Sequence, residues 1–119
     1  MLGGGQLGRL FVLAARKLGY KVVVLDPDLN SPAGTLADTH LCRNYDDRDA
    51  LAELAQLCDA VTTEFENIDA SSMAFLADKV QTMPSASAIA IAQDRIAEKT
   101  FLASKNLPTV PFFVIQTNE

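Results

Sequence analysis

Gly3, Gly5 and Gly8 stand in the pattern G-x-G-x-x-G within "LGGGQLGRL", at the start of a 119-residue chain. Small residues at this spacing let a backbone turn approach a ligand. A helix beginning directly after them offers free N–H groups and the positive end of its dipole to an anion. Asp26 closes the apolar run "VVVLD". In a dinucleotide-binding fold, an acid at that place accepts hydrogen bonds from a ribose. Glu64 and Glu66 lie in "TTEFEN", at the end of another short apolar run. Side chains two apart on an extended segment share a face. A carboxylate there suits hydroxyl or amine donors and repels a close phosphate. Of the pair, Glu64 is the expected ligand contact and Glu66 a helix cap or solvent-facing group. Asp94, Arg95, Glu98 and Lys99 share one helical stretch. Its i, i+4 spacings join like charges, which argues against simple pair stabilisation. The planar fork of Arg95 suits a phosphate, although a lone arginine on a helix is ordinarily solvated. The glycine turn by itself leaves three readings open: a tight turn with no ligand, a dinucleotide site, or a site for a phosphorylated substrate.

These groups need elements to hold them. "QLGRLFVLAARKL" (6–18) carries Leu7, Leu10, Phe11, Ala14 and Leu18 at helical spacing, which predicts a helix with that stripe toward a core and Gly19 as its C-cap. "KVVVLD" reads as a buried strand and "PDLNSPAG" as a loop. "THLCRNY" is a short strand candidate. "DDRDALAELAQLCD" predicts a helix with Leu51, Leu54, Ala55 and Cys58 on one face. "AVTTEF" is strand-like, "DASSMAFLADKV" a helix capped by Asp69, and "VQTMP" a strand stopped at Pro84. Two helices follow, 85–92 and 94–105, the second capped by Asp94. "LPTVPFFVIQTNE" then becomes extended, the last strand in the order. Alternating strands and helices imply an α/β fold: a three-layer, Rossmann-like parallel sheet with helices on both faces. The expected organisation is a domain over 1–106, with 107–119 a linker or the start of a following domain.

Hydrophobic residues make up 49% of the chain and charged residues 21%, as in ordinary globular domains. A net charge of −5 without a Lys/Arg cluster argues against nucleic acid or an anionic membrane as partner. No apolar run approaches the ~20 residues of a membrane span, and the N-terminus lacks a signal-peptide pattern, so a cytoplasmic protein is expected. Cys42 and Cys58 lack metal-site or disulfide spacing and read as buried thiols. His40, the single histidine, reads as structural or surface-exposed.

Four segments in order, "LGGGQLGRL", "VVLDPDLNSPAG", "TTEFENID" and "PSASAIAIAQDRIAEKTFLASKNLPTVPF", carry a resemblance over essentially the whole chain. Together they resemble the N-terminal region of the 5-(carboxyamino)imidazole ribonucleotide synthases, purine-biosynthesis ligases of the ATP-grasp superfamily. The resemblance implies a pre-ATP-grasp domain and a reaction for the whole enzyme. ATP and bicarbonate form carboxyphosphate, which carboxylates the exocyclic amine of aminoimidazole ribonucleotide, releasing ADP and phosphate. It implies ribonucleotide contacts at Gly5, Gln6, Leu7 and Glu64, and an ATP contact at Arg95. It assigns no catalytic or metal-ligating residue to this chain. The magnesium carboxylates belong to ATP-grasp domains beyond Glu119, and the parent enzyme is expected to be a homodimer. Family members carry an apolar strand before the glycines, where this chain has Met1 and Leu2. The first strand is therefore expected to be truncated, and the chain to be inactive alone. The alternative is an NAD(P)-binding module in which Asp26 holds the ribose.

Overall fold

The computed structural model describes residues 1–115. Its elements are α1 (Gln6–Lys17), β1 (Val23–Leu25), β2 (Thr39–Leu41), α2 (Arg48–Leu57), β3 (Ala60–Thr62), α3 (Ala70–Ala77), β4 (Gln81–Met83), α4 (Ala86–Gln93) and α5 (Arg95–Ser104). β1 pairs with β2 in parallel, with Val23 opposite Thr39, and β3 pairs with β4 in parallel, with Ala60 opposite Gln81. Leu2 joins the two pairs through parallel bridges to Leu25 and to Thr63. The backbone bonds are regular on both sides. Leu2 N–H donates to Thr62 O at 2.9 Å and Gly3 N–H to Leu25 O at 3.1 Å. Leu25 N–H donates to Met1 O at 2.9 Å and Glu64 N–H to Leu2 O at 3.2 Å. The sheet order is thus β2–β1–(Met1–Gly3)–β3–β4, with the chain start in the central place where the strand before the glycines was expected.

Successive residues of an extended chain face opposite sides of a sheet. Met1 and Val24 accordingly pack with Val12, Val22 and Ala33 on the α1 side. Leu2 and Leu25 pack with Leu51 and Leu54 of α2, Val61 of β3, Met73 and Leu76 of α3, and Ile89 of α4 on the other. Helices therefore cover both faces of a parallel sheet, the three-layer arrangement expected. Polar caps set the helix starts. Asp47, Asp69, Ser85 and Asp94 each accept from the backbone N–H of the second or third residue, or both, of the helix that follows. Gly19, at φ +89°, ends α1, with Gly19 N–H bonded to Arg16 O and Tyr20 N–H to Ala15 O. That pair of bonds is a Schellman motif.

Three expectations need correction. The α1 stripe Leu7–Leu10–Phe11–Ala14–Leu18 is exposed, Leu7 at 66% and Leu18 at 76%. The inward face is Gly8, Val12 and half-buried Ala15. Periodicity selects the broadest apolar arc, whereas the sheet takes the arc whose small residues permit close approach. Cys42 is exposed rather than buried, and Cys58 is half-buried. The extended segment from residue 107 forms no strand through residue 115, and the rest of that expectation lies outside the described residues.

Candidate functional site

The C-terminal ends of β1, the Met1–Gly3 segment and β3 lie side by side, and the chain turns there into α1. Gly3 has φ +94°, and a Cβ on it would lie 2.5 Å from Glu64 Cγ and 2.9 Å from the Phe65 ring. Glycine is therefore required by conformation and by space together. The turn brings the Glu64 carboxylate onto the start of α1. Gly5 N–H donates to Glu64 Oε1 at 2.7 Å, and Gly8 N–H donates to Glu64 Oε2. A helix leaves its first four N–H groups without internal partners. Glu64 takes those of Gly5 and Gly8, leaving the exposed Gln6 and Leu7 at the same helix start. A carboxylate at a helix N-terminus is also favoured by the dipole. The helix end is thus no open cradle for a phosphate, as the glycine pattern suggested. One anion already sits on it, and that anion can accept further hydrogen bonds from hydroxyl or amine donors.

Asp26 holds the same turn from the other side. It is 7% exposed. Its Oδ2 accepts from Gly4 N–H at 2.7 Å and from the Tyr45 hydroxyl at 2.6 Å, and its Oδ1 accepts from Asp28 N–H at 2.8 Å. Ala33 N–H bonds to Gly4 O at 2.7 Å, and His40 Nε2 lies 3.1 Å from Asp26 O, a structural role for the histidine. The dinucleotide alternative needs Asp26 to face a ribose. Here its carboxylate is buried and filled by protein donors. Burial, reinforced by the bond to Asp26, pushes the Tyr45 hydroxyl pKa well above its ordinary value, so Tyr45 is a donor throughout the physiological range.

The sequence model of the ribonucleotide synthetase preATP-grasp domain matches residues 1–93. The chain belongs to this family. The N5-carboxyaminoimidazole ribonucleotide synthase of Brucella melitensis is 40% identical over 119 residues, covering 100% of this chain and 33% of that protein. The crystal structure of the Staphylococcus aureus N5-carboxyaminoimidazole synthetase complexed with ADP superposes with a TM-score of 0.90 at 43% identity, over 97% of this chain and 31% of that one. The Aspergillus clavatus synthase in complex with ADP and 5-aminoimidazole ribonucleotide gives 0.83 at 38% identity, over 92% and 30%. The chain spans about a third of the length of the curated relatives it matches.

Within this preATP-grasp domain, the expected site residues fall into two groups. Gly5, Gln6, Leu7 and Glu64 come together at the turn. Arg95 stands apart, at the first position of α5, and its Nη1 meets Glu98 Oε2 at 2.5 Å. That i, i+3 pair corrects the expectation that the charges of this helix do not simply pair. Arg95, Glu98, Gln93 and Glu66 border a depression of about 340 Å³. It is Glu66, not Glu64, that shares a surface with Arg95. Sequence reasoning passed over Gln93, whose Nε2 donates to Glu66 O and Ile68 O and ties the α4–α5 junction to the loop after β3. It passed over Tyr45 as well. The signal for Gln93 was its place beside Asp94 and Arg95 in "QDR". Nothing in the spacing of Tyr45 announces its bond to Asp26.

Proposed function

We propose that this chain is the ribonucleotide-binding part of a ligase that carboxylates 5-aminoimidazole ribonucleotide with ATP and bicarbonate. The observation that carries the reading is the Glu64 carboxylate seated across the N–H groups of Gly5 and Gly8 at the strand C-termini, where open parallel sheets place their ligands. Held on one side by the turn, Glu64 offers its remaining lone pairs to ribose hydroxyls or the exocyclic amine. The backbone N–H groups of Gln6 and Leu7, between the two that Glu64 takes, offer further donors to the substrate at the same helix start. The substrate is thereby oriented for attack on carboxyphosphate, with phosphate as the leaving group. Arg95 is assigned to ATP, which requires its side chain to exchange Glu98 for a phosphate. Among the described residues no group of three or more His, Cys, Asp or Glu is placed to hold a metal. Magnesium is assigned, on the resemblance to the ligase family, to the ATP-grasp part of the enzyme. The whole enzyme is read as a cytoplasmic homodimer.

The test is a split in kinetic constants in a full-length enzyme carrying this segment. Glu64→Gln is expected to raise KM for the ribonucleotide about tenfold or more, since a hydrogen bond to a charged group contributes roughly 1.5–3 kcal/mol. KM for ATP should stay nearly constant. Arg95→Ala is expected to do the reverse. Equal effects of Glu64→Gln on both substrates would overturn the assignment.

A further inference from the structure

Two carboxylates from different strand ends grip the glycine turn at different points. Asp26, at the end of β1, holds Gly4, and Glu64, just past β3, holds Gly5 and Gly8. No bond joins the two acids directly. One side chain touches both arms. Tyr45, on the loop between β2 and α2, donates its hydroxyl to Asp26 Oδ2 at 2.6 Å. Its ring meets the Phe65 ring edge-on, with centroids 5.6 Å apart and planes at 68°. Phe65 follows Glu64 directly and fills the space that a Cβ on Gly3 would need. Its own backbone is fixed, since Phe65 N–H lies 3.3 Å from Thr63 Oγ1, which in turn donates to Phe65 O at 2.9 Å.

We infer that Tyr45 is a positioning residue for the ribonucleotide site, linking the Asp26 arm and the Phe65–Glu64 arm so that the glycine turn is held as one unit. The inference rests on the proposed role of Glu64 in binding the ribonucleotide. An aromatic ring is stiff, with two side-chain torsions, and an edge-to-face pair has a preferred geometry. With the hydroxyl bonded to Asp26, the ring cannot rotate away from Phe65 without breaking a hydrogen bond to a buried charge. Tyr45 itself need not touch the substrate.

Tyr45→Phe is the decisive variant, because it keeps the ring contact and removes only the hydroxyl. The first measurement is amide hydrogen exchange of the ligand-free chain. Faster exchange is expected at Gly4, which Asp26 holds, and also at Gly5 and Gly8, which Asp26 does not touch. Acceleration at Gly4 alone would overturn the inference while leaving the role of Glu64 intact. The second measurement is 5-aminoimidazole ribonucleotide binding in a full-length enzyme carrying this segment. Tyr45→Phe is expected to weaken it about tenfold, with ATP affinity unchanged. The double variant Tyr45→Phe/Glu64→Gln should lose less than the product of the single losses, as coupled groups do. Multiplicative losses would mean that Tyr45 acts independently of Glu64, and would overturn the inference. Glu64→Gln without effect on ribonucleotide binding would overturn the functional reading on which it rests.

Discussion

Asp26 and Glu64 are two acids at the ends of parallel strands, and their surroundings give them different work. The Asp26 carboxylate accepts from three protein donors inside the fold. Glu64 is half-buried, accepts from two, and borders the exposed helix start. Asp26→Asn replaces one carboxylate oxygen with an NH2 group that must face N–H or O–H donors on one side. A buried donor left unpaired costs roughly 1–3 kcal/mol. The melting temperature of Asp26→Asn is therefore expected to fall by several degrees. Glu66→Gln, on an exposed side chain, should stay within about 0.5 kcal/mol of the original. Thermal melts of the two variants check this. An unchanged melt for Asp26→Asn would show that its carboxylate does not hold the turn, and would reopen the ribose-binding alternative.

At the level of elements, α1 depends on the turn before it. Gly3→Ala would force a side chain into φ +94° and to 2.5 Å from Glu64 Cγ. Glu64 would have to move, and α1 would lose its cap at Gly5 and Gly8. A loss of stability of about 2–4 kcal/mol is expected, combining backbone strain with the broken cap, and chemical denaturation measures it. A loss under about 0.5 kcal/mol would mean that the turn relaxes freely. The elements themselves were largely legible, because Asp69, Asp94 and Gly19 each carry a local signal that the structure uses as read. The buried side of α1 was not legible. The inward position 8 takes glycine because a Cβ there would meet the Met1 side chain, Glu64 and the backbone of Gly3, a tertiary constraint with no trace in hydrophobic periodicity. The site was legible as far as local chemistry reached: Gly5 and Glu64 do meet. The seat of Glu64 on the helix start was not, because nothing local shows that residues so far apart in the chain bond to each other. The same holds for Tyr45 and Asp26.

Across the whole molecule, the two ends of the sheet differ. The strand C-termini hold the candidate site. The strand N-termini open into a largely apolar groove of about 750 Å³ between α1, the start of β1 and the start of β3, with Met1, Phe11, Leu18, Val23 and Cys58 among its walls. Burial raises the pKa of the Cys58 thiol there. In a polypeptide beginning at Met1, the α-amino group is buried in this region and bonded to Val23 O at 2.5 Å. Burial lowers its pKa from 8.0 to about 6. The sign follows from proton linkage. Above about pH 8 the amine is neutral in both folded and unfolded chains and costs nothing. Between pH 8 and 6 the unfolded chain takes up the proton and the folded chain does not, so stability falls as pH falls. Below about pH 6 both are charged and the loss levels off. Two pKa units correspond to about 3 kcal/mol. Melting temperature is therefore expected to drop between pH 8 and pH 6 for the chain with a free amine. N-terminal acetylation, which leaves nothing to titrate, should flatten that profile. Adding about five apolar residues before Met1, the length of an ordinary strand, should flatten it too and raise the melting temperature at every pH, because the added segment can pair with both β1 and β3 across the groove. A profile that keeps its slope after acetylation would assign the pH dependence to another group. An extension that leaves the melting temperature unchanged would mean that the groove does not accept a strand.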